Sequence, residues 1–222
     1  MRVVSLVPSV TETLSAWGVE PVACTRYCDR PDLPHVGGTK DPDVVAIAEL
    51  APDLVVMDTE ENTLEAHREL MDRGLSVHVT EVTDIAGLAS ELSSLASRVG
   101  VAKPEWPGPG EPRPPAGRAL VPIWRNPWMA IGASTYGGSV LRHLGLEALT
   151  PGGGSYEEFS PGGIEADVIV VPDEPYAFGE RHRRELESLV PGARLVHVDG
   201  RDLFWWGSRT PAAVGRLARA LV

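Results

Sequence analysis

A proline-rich run near the middle of the chain constrains the fold more than any other feature of the sequence. Between Pro104 and Pro115, six of twelve residues are proline. Proline lacks an amide hydrogen and its ring clashes with the preceding turn, so no helix or central strand crosses the run. The run is instead typical of a stiff, extended connector. We therefore predict an N-terminal lobe over residues 1–83, a connecting helix and linker over 84–117, and a C-terminal lobe over 118–222.

The two predicted lobes repeat one pattern. Each opens with an apolar run, RVVSLVP from Arg2 and RALVPI from Arg118. Further on, PDLVVMDTEEN has its counterpart in ADVIVVPDEPY, and GLSVHVT corresponds to GARLVHVDG. Amphipathic helical patterns lie between these runs, which predicts two similar α/β lobes with parallel-type sheets flanked by helices.

Three helices have predicted boundaries. Apolar residues at helical spacing predict helices over residues 63–73 and 84–99. The last helix is predicted to begin with Thr210 as its N-cap and Pro211 at its first helical position.

Charge and composition exclude several classes of partner. The 20 Lys and Arg residues against 31 Asp and Glu residues leave a formal net charge of −11, which disfavours nucleic acid and anionic lipid. No apolar run is long enough to cross a membrane. The N-terminal residues lack the pattern of a secretory signal, so the predicted location is cytoplasmic, or periplasmic or extracellular if a leader has been removed. Cys24 and Cys28 are too few for a disulfide framework and are expected to be reduced structural thiols.

Tryptophans mark the expected ligand-binding edge of the second lobe. Trp124 and Trp128 directly follow one predicted strand, and Trp205 and Trp206 follow another. Parallel sheets bind ligands beyond the carboxyl ends of their strands, and large aromatic rings there suit a flat, mostly apolar ligand. Arg125 lies beside them and is a candidate to orient the ligand. In the alternative interpretation, two of the four tryptophans are core residues.

Acidic residues follow the corresponding strands of both lobes, Asp58, Glu60 and Glu61 in the first and Asp173 and Glu174 in the second. Such carboxylates can bind a hard cation or act as an acid/base pair. The stronger interpretation is that they cap helices, because acidic groups are favoured at helix starts. The sequence contains no zinc-ligand spacing, no phosphate-binding GxxxxGK[ST] loop and no GxSxG elbow. We therefore predict no catalytic residue, no metal site and no intrinsic cofactor.

Several segments together resemble a known family. They are RVVSLVPSVTETLSAWG, the CDRP segment from Cys28, VGGTKDPDVVAIAELAPDLVV, PIWRNPWMAIGASTYGGSVLRHLG and VPDEPYAFGERH. These resemble the class III substrate-binding proteins of ABC importers, which bind cobalamin, haem or iron siderophores, and most closely the cobalamin-binding branch. The resemblance covers most of the chain outside Pro104 to Pro115. It implies two lobes with the ligand in the cleft between them, and no catalysis.

The resemblance also implies which residues line that cleft. In the first lobe they are Pro8, Ser9 and the segment Asp58, Glu60, Glu61 and Asn62. In the second lobe they are Trp124, Arg125, Trp128, Asp173, Glu174, Tyr176, Phe178, Trp205 and Trp206.

The chain departs from the family pattern in ways that bear on its partners. The long interlobe helix is expected to be shortened, because its pattern stops near Gly100. Importer-bound members carry an exposed glutamate in each lobe that docks on the permease; the matching positions here are Leu64 and Trp205, with Glu65 adjacent to the first. Docking on an ABC permease is therefore not expected.

Three functional hypotheses follow. The leading one is a non-enzymatic binding protein for a corrinoid, haem or iron chelate that does not deliver its ligand to an importer; under it, Trp128→Ala is expected to weaken binding without unfolding the protein. The second is a metal-dependent or corrinoid-modifying enzyme that uses the carboxylates. The third is an interaction module whose exposed tryptophans contact a protein partner or a second copy. The expected oligomeric state is a monomer or a weak homo-oligomer.

Overall fold

The structure, a computed structural model, describes residues 1–102, 106–160 and 162–222. Pro104, the first proline of the predicted connector, lies outside them. The chain divides into two compact units. Unit 1 comprises Met1–Val82, Gly87–Trp106 and Trp206–Ser208, and unit 2 comprises Thr83–Ala86, Pro107–Trp205 and Arg209–Val222.

Unit 1 contains a four-stranded sheet. Its strands are β1 Val3–Ser5, β2 Ala23–Cys24, β3 Leu54–Asp58 and β4 Val77–Thr80. All neighbouring strands run parallel, in the order β2-β1-β3-β4. Every residue of β3 is buried, as expected for a strand of a parallel sheet that is covered on both faces.

Helices cover this sheet. They are α1 Pro8–Ala16, α2 Val44–Glu49, α3 Leu64–Asp72 and α4 Leu88–Val99. Ile47 of α2 and Leu70 of α3 pack with Val4, Val55 and Met57 of the sheet in one buried cluster.

Among the described residues, unit 2 contains seven strands, in chain order β5 Gly117–Leu120, β6 Pro122–Trp124, β7 Met129–Ile131, β8 Leu146–Ala148, β9 Tyr156–Glu158, β10 Val168–Pro172 and β11 Arg194–Val198. Four of them form a second parallel sheet in the order β11-β10-β5-β8. Its helices are α5 Tyr136–His143, α6 Glu180–Leu189, α7 Gly200–Phe204 and α8 Thr210–Leu221.

The two parallel sheets have the same topology. When the strands of each sheet are taken in chain order, the first lies between the second and the third, and the fourth lies beyond the third. The repeated sequence segments therefore correspond to a repeated α/β arrangement, and the predicted fold class is confirmed.

A small antiparallel sheet in unit 2 was not predicted. It consists of β6, β7 and β9. The apolar run at 118–123 was predicted as one strand, but it is divided between β5 and β6. Pro122 has no amide hydrogen to donate to a sheet ladder, and the chain changes from the parallel sheet to the antiparallel one at this position.

Two helix boundaries also differ from prediction. α4 begins at Leu88 rather than Asp84, because residues 83–86 are held in unit 2. There Ile85 N–H donates to Ser139 Oγ at 2.9 Å and Asp84 forms an ion pair with Arg142. In α8, Thr210 is the first helical residue and Arg209 occupies the N-cap position. Among the described residues, no helix is long and apolar enough to span a membrane.

Candidate functional site

The carboxyl ends of β1, β2 and β3 lie at one edge of the first sheet, where a buried amide holds three loops together. Asn62 Nδ2 donates to the carbonyl oxygens of Leu6 at 3.1 Å and Thr39 at 2.8 Å. Asn62 Oδ1 accepts from the amide of Asp58 at 2.8 Å. Pro8 and Ser9, at the start of α1, are buried at the same edge. The predicted ligand residue Asn62 thus uses its polar atoms to shape this edge.

The carboxylate of Asp58 also has its hydrogen-bond partners within the protein. Its Oδ1 accepts from the amide of Glu60 at 2.9 Å, and its Oδ2 accepts from Thr80 Oγ1 at 2.8 Å. Burial raises the pKa of this carboxyl above its ordinary value. Glu60 and Glu61 are exposed. Of the predicted acidic group in unit 1, Asp58 therefore has a structural role, and only the two glutamates extend into solvent.

Tyr27 is a residue at this edge that the sequence did not single out. It lies three residues after β2, its side chain is 56% exposed, and the guanidinium of Arg26 lies 4.9 Å from its ring centroid. The available signal was its position just beyond a strand end, but β2 has only two residues and was not predicted. Tyr27 adds an exposed aromatic surface to the carboxyl edge of the first sheet.

Unit 1 also contains a pocket of about 240 Å³. Its lining comes from β3, β4 and α3 and the loop before α3: Met57, Asp58, Thr59, Asn62, Thr63, Leu64, His67 and Val79. Leu64, the position that matches a docking glutamate of the resembling family, is 62% exposed at its rim.

In unit 2, aromatic side chains form a continuous cluster from the core to the surface. We call Trp124, Trp128, Phe159, Tyr176, Phe178 and His182 the aromatic cluster. Trp124 contacts Tyr176 edge-on at 5.2 Å between ring centroids, and Tyr176 lies 4.8 Å from Phe178. Phe178 in turn stacks on Trp128 at 5.9 Å. Trp124 is 45% exposed and forms the outer end of the cluster.

Trp128 is a core residue. It is 6% exposed and packs with Leu120, Phe159 and Ile169. The substitution Trp128→Ala would leave a large cavity in the core of unit 2, so we now expect it to lower the stability of the fold. Trp206 is also buried, so the structure places two of the four candidate tryptophans in the interior.

Arg125 has partners within the protein. Its guanidinium lies 4.7 Å from the Trp128 ring centroid and forms two hydrogen bonds with the Glu185 carboxylate, at 2.7 and 3.2 Å. This contact lowers the pKa of Glu185. Because Glu185 already neutralises its charge, Arg125 contributes mainly to holding Trp128, and its predicted role in orienting a ligand has no additional support in the geometry.

The second acidic group adjoins the start of α7. Asp173 Oδ1 accepts from the amide of Gly200 at 2.7 Å. A Cβ on Gly200 would lie 2.5 Å from Glu174 Cγ, so only glycine allows this close approach. Burial raises the pKa of Glu174, and the nearby Arg201 opposes the shift. Trp205 is half-buried. Its ring centroid lies 5.0 Å from the guanidinium carbon of Arg201 and 5.4 Å from that of Arg209.

We expect Glu174→Gln to stabilise unit 2 at neutral pH. The raised pKa means that folding disfavours the ionised carboxyl, so wild-type stability falls as pH rises through the folded-state pKa. The gain from the neutral amide should stay below about 1 kcal/mol at pH 7.5 and disappear below about pH 4, where the unfolded carboxyl is also protonated. Urea unfolding at both pH values measures it. Glu158→Gln, at an exposed position, is the control, and an equal pH-dependent gain there would contradict the explanation.

Two further observations concern metal and phosphate ligands. In the described part of the chain, no three His, Cys, Asp or Glu residues come together as metal ligands. The glycine-rich loop at Gly152 to Gly154 binds a carboxylate of its own, since the amides of Gly152 and Gly154 both donate to Glu157 at 2.6 Å.

Comparison with known proteins agrees with the sequence resemblance. Residues 3–103 match the sequence model of the family described as periplasmic binding protein. None of the curated proteins matches the chain. Solved structures, by contrast, match it over nearly its whole length.

Three of these structures illustrate the likeness. The periplasmic vitamin B12 binding protein of Vibrio cholerae has a TM-score of 0.78 and 18% identity, with 98% of this chain and 95% of that chain covered. A periplasmic haem-binding protein from Pseudomonas aeruginosa has a TM-score of 0.76 and 21% identity, covering 98% and 91%. The periplasmic haem-binding protein of Roseiflexus sp. RS-1, in its apo form, has a TM-score of 0.78 and 18% identity, covering 98% and 96%. The predicted resemblance to class III binding proteins is confirmed.

Proposed function

We propose, since residues 3–103 match the sequence model of the periplasmic binding protein family, that the chain binds a flat, metal-containing macrocycle. A corrinoid is the leading candidate and haem the nearest alternative. Both ligand classes occur among the proteins of similar fold, which include vitamin B12 and haem binders. The protein would act as a carrier without catalysing a reaction.

One observation carries this proposal, the exposed outer end of the aromatic cluster. Trp124 is 45% exposed although it contacts Tyr176 edge-on. Covering an exposed aromatic side chain with a flat ligand is favourable, because it removes apolar surface from water. Tyr176 is itself packed against the protein, because it contacts Phe178, which stacks on the buried Trp128. A preformed, rigid aromatic surface loses little conformational entropy on binding a flat ligand.

Unit 1 offers a second aromatic surface at the equivalent edge of its sheet. Tyr27 is exposed there with Arg26 against its ring, and Glu60 and Glu61 are exposed in the loop after β3. A corrinoid and a haem both present an apolar face that an exposed aromatic ring can cover.

We expect Trp124→Ala to weaken binding of hydroxocobalamin at least about tenfold, which corresponds to about 1.4 kcal/mol of lost stacking. Calorimetric titration of the purified chain with hydroxocobalamin and with haemin measures both affinities. Trp17→Ala is the matched control, since Trp17 lies at the opposite end of α1 from the candidate edge. Light scattering during the titration separates ligand binding from self-association.

The outcomes are distinct. Saturable binding of haemin alone would assign the site to haem, and binding of neither compound would contradict the proposal. Equal affinity of Trp124→Ala and wild type would remove Trp124 from the site. If Trp17→Ala weakens binding as much as Trp124→Ala, the loss reflects the fold rather than a contact.

We also propose that the chain does not deliver its ligand to an importer. Leu64 presents an exposed apolar side chain where the resembling family has a docking glutamate. Trp205 occupies the second such position and is half-buried between two arginines. Ligand-loaded chain added to a cobalamin importer in liposomes is expected to leave the ATPase rate unchanged. Stimulation of that rate would contradict this part of the proposal.

A further inference from the structure

Two cysteines in unit 1 lie side by side in the interior. Cys24 ends β2, and Cys28 follows after a turn closed by a hydrogen bond of 3.1 Å from the Cys28 amide to the Thr25 carbonyl oxygen. This turn places Cys28 four residues beyond Cys24, and each thiol shifts the pKa of the other. Cys24 is fully buried and Cys28 is 6% exposed. Both are free thiols.

Hydroxyl groups surround the Cys28 sulfur. Thr11 Oγ1 lies 3.2 Å and Thr25 Oγ1 3.3 Å from Cys28 Sγ. Thr11 also has the Val7 carbonyl oxygen within reach at 3.1 Å, so Thr25 is the more consistent donor to a thiolate. Structural buried cysteines ordinarily have apolar surroundings that keep the thiol protonated and inert. The donors around Cys28 provide the opposite environment.

These contacts divide the two sulfurs into different roles. The hydrogen bond from Cys24, followed by those from the two threonines, lowers the pKa of Cys28 to about 6 despite its burial. The same shared proton, together with burial, raises the pKa of Cys24. Of the two sulfurs, Cys28 is therefore the one that ionises more readily. A thiolate is the form that attacks oxidants, and a neighbouring thiol is what resolves the product.

We propose that Cys24 and Cys28 form a reversible, peroxide-reactive dithiol, with Cys28 as the attacking sulfur and Cys24 as the resolving one. Cys28 is the less buried of the two side chains, and its partner lies four residues earlier, on the other side of the hydrogen-bonded turn. The pair is independent of the aromatic cluster and of the proposed ligand.

The chemistry is a two-electron oxidation by hydrogen peroxide. The Cys28 thiolate attacks one peroxide oxygen, the O–O bond breaks, and the departing hydroxide takes a proton to become water. Cys28 is then a sulfenic acid. The Cys24 sulfur attacks the Cys28 sulfur, the S–O bond breaks, and the hydroxide leaves with the Cys24 proton as a second water. Peroxide is reduced to two waters, and two thiols become one disulfide.

Intact-mass measurement of the reduced, desalted full chain tests the proposal. After brief treatment with a small excess of peroxide, we expect a loss of about 2 Da that dithiothreitol reverses, as two hydrogens are removed when a disulfide forms. Under the same conditions Cys24→Ser should accumulate a sulfenic acid at Cys28 that dimedone traps. The Cys28→Ser variant should keep Cys24 as a free thiol. It should consume peroxide at least about tenfold more slowly than the Cys24→Ser variant.

Other results would overturn the proposal. One is that both thiols of the folded wild type can still be alkylated after a treatment that oxidises a free dithiol. A second is a disulfide between two chains rather than within one. A third is equal reactivity of the two serine variants with peroxide. The wild-type chain in urea is the reference, because it has the same thiols without the hydrogen-bonded arrangement. Oxidation that is no faster in the folded chain than in urea would also overturn the assigned roles. None of these readouts depends on ligand binding.

Discussion

Trp128→Ala is expected to destabilise unit 2 by about 3 to 5 kcal/mol, the cost that large-to-small substitutions of buried aromatic residues usually carry. The ring is 6% exposed, stacks on Phe178 and contacts Phe159. It also supports the Arg125 guanidinium, which pairs with Glu185 on α6. Its removal therefore leaves both a cavity and a less constrained ion pair.

Urea unfolding combined with hydrogen exchange measures this effect and locates it. Exchange should increase in β10 of unit 2, while β3 of unit 1 serves as the internal reference. Trp124→Ala is the matched control, because it removes the same side chain from a 45% exposed position nearby, and it should cost less than about 1 kcal/mol. Similar losses for the two variants would contradict the assignment of Trp128 to the core.

Asn62→Ala is expected to destabilise unit 1 by about 3 kcal/mol. The substitution leaves the carbonyl oxygens of Leu6 and Thr39 and the amide of Asp58 without their partner. Buried polar groups that lose a hydrogen-bond partner cost about 1 to 3 kcal/mol each, and partial access of water reduces the total. Because Asn62 joins three loops, the loss should spread along the whole carboxyl edge of the first sheet.

Urea unfolding combined with hydrogen exchange also tests this prediction, with unit 2 now as the internal reference. Amides of the loops after β1 and β3 should exchange faster, while β10 of unit 2 stays unchanged. Glu61→Ala, at the exposed neighbouring position, is the control and should change stability by less than about 0.5 kcal/mol. A loss confined to residues 58–62 would show that the amide caps one loop rather than joining three.

The repeated α/β arrangement could be predicted from the sequence because the repeat is local. Apolar runs such as VVSLV and VIVV are long enough to be buried on both faces, and the helical patterns between them allow few other architectures. The order of strands within each sheet could not be predicted in this way. It depends on which strands pair over long separations, and only the structure shows that both sheets share one order.

The candidate site also has some features that could be predicted from the sequence and others that could not. Tyr176 was named only through the family resemblance, and the structure shows that it contacts Trp124. Residue type and position beyond a strand end could not separate Trp124 from Trp128, since both follow the same strand and only the packing of Phe159 and Phe178 buries the second ring. They also could not foresee that Asn62, Asp58 and Arg125 would find partners inside the protein.

The sequence by itself determined the architecture, through the periodicity of its apolar residues and the prolines that divide the chain. The tertiary structure decided which polar and aromatic side chains remain available for function. The physical reason is that backbone pattern acts over a few neighbouring residues, whereas burial and hydrogen bonding depend on residues far apart in the chain. Asn62 and Leu6, or Arg125 and Glu185, meet only in the folded protein.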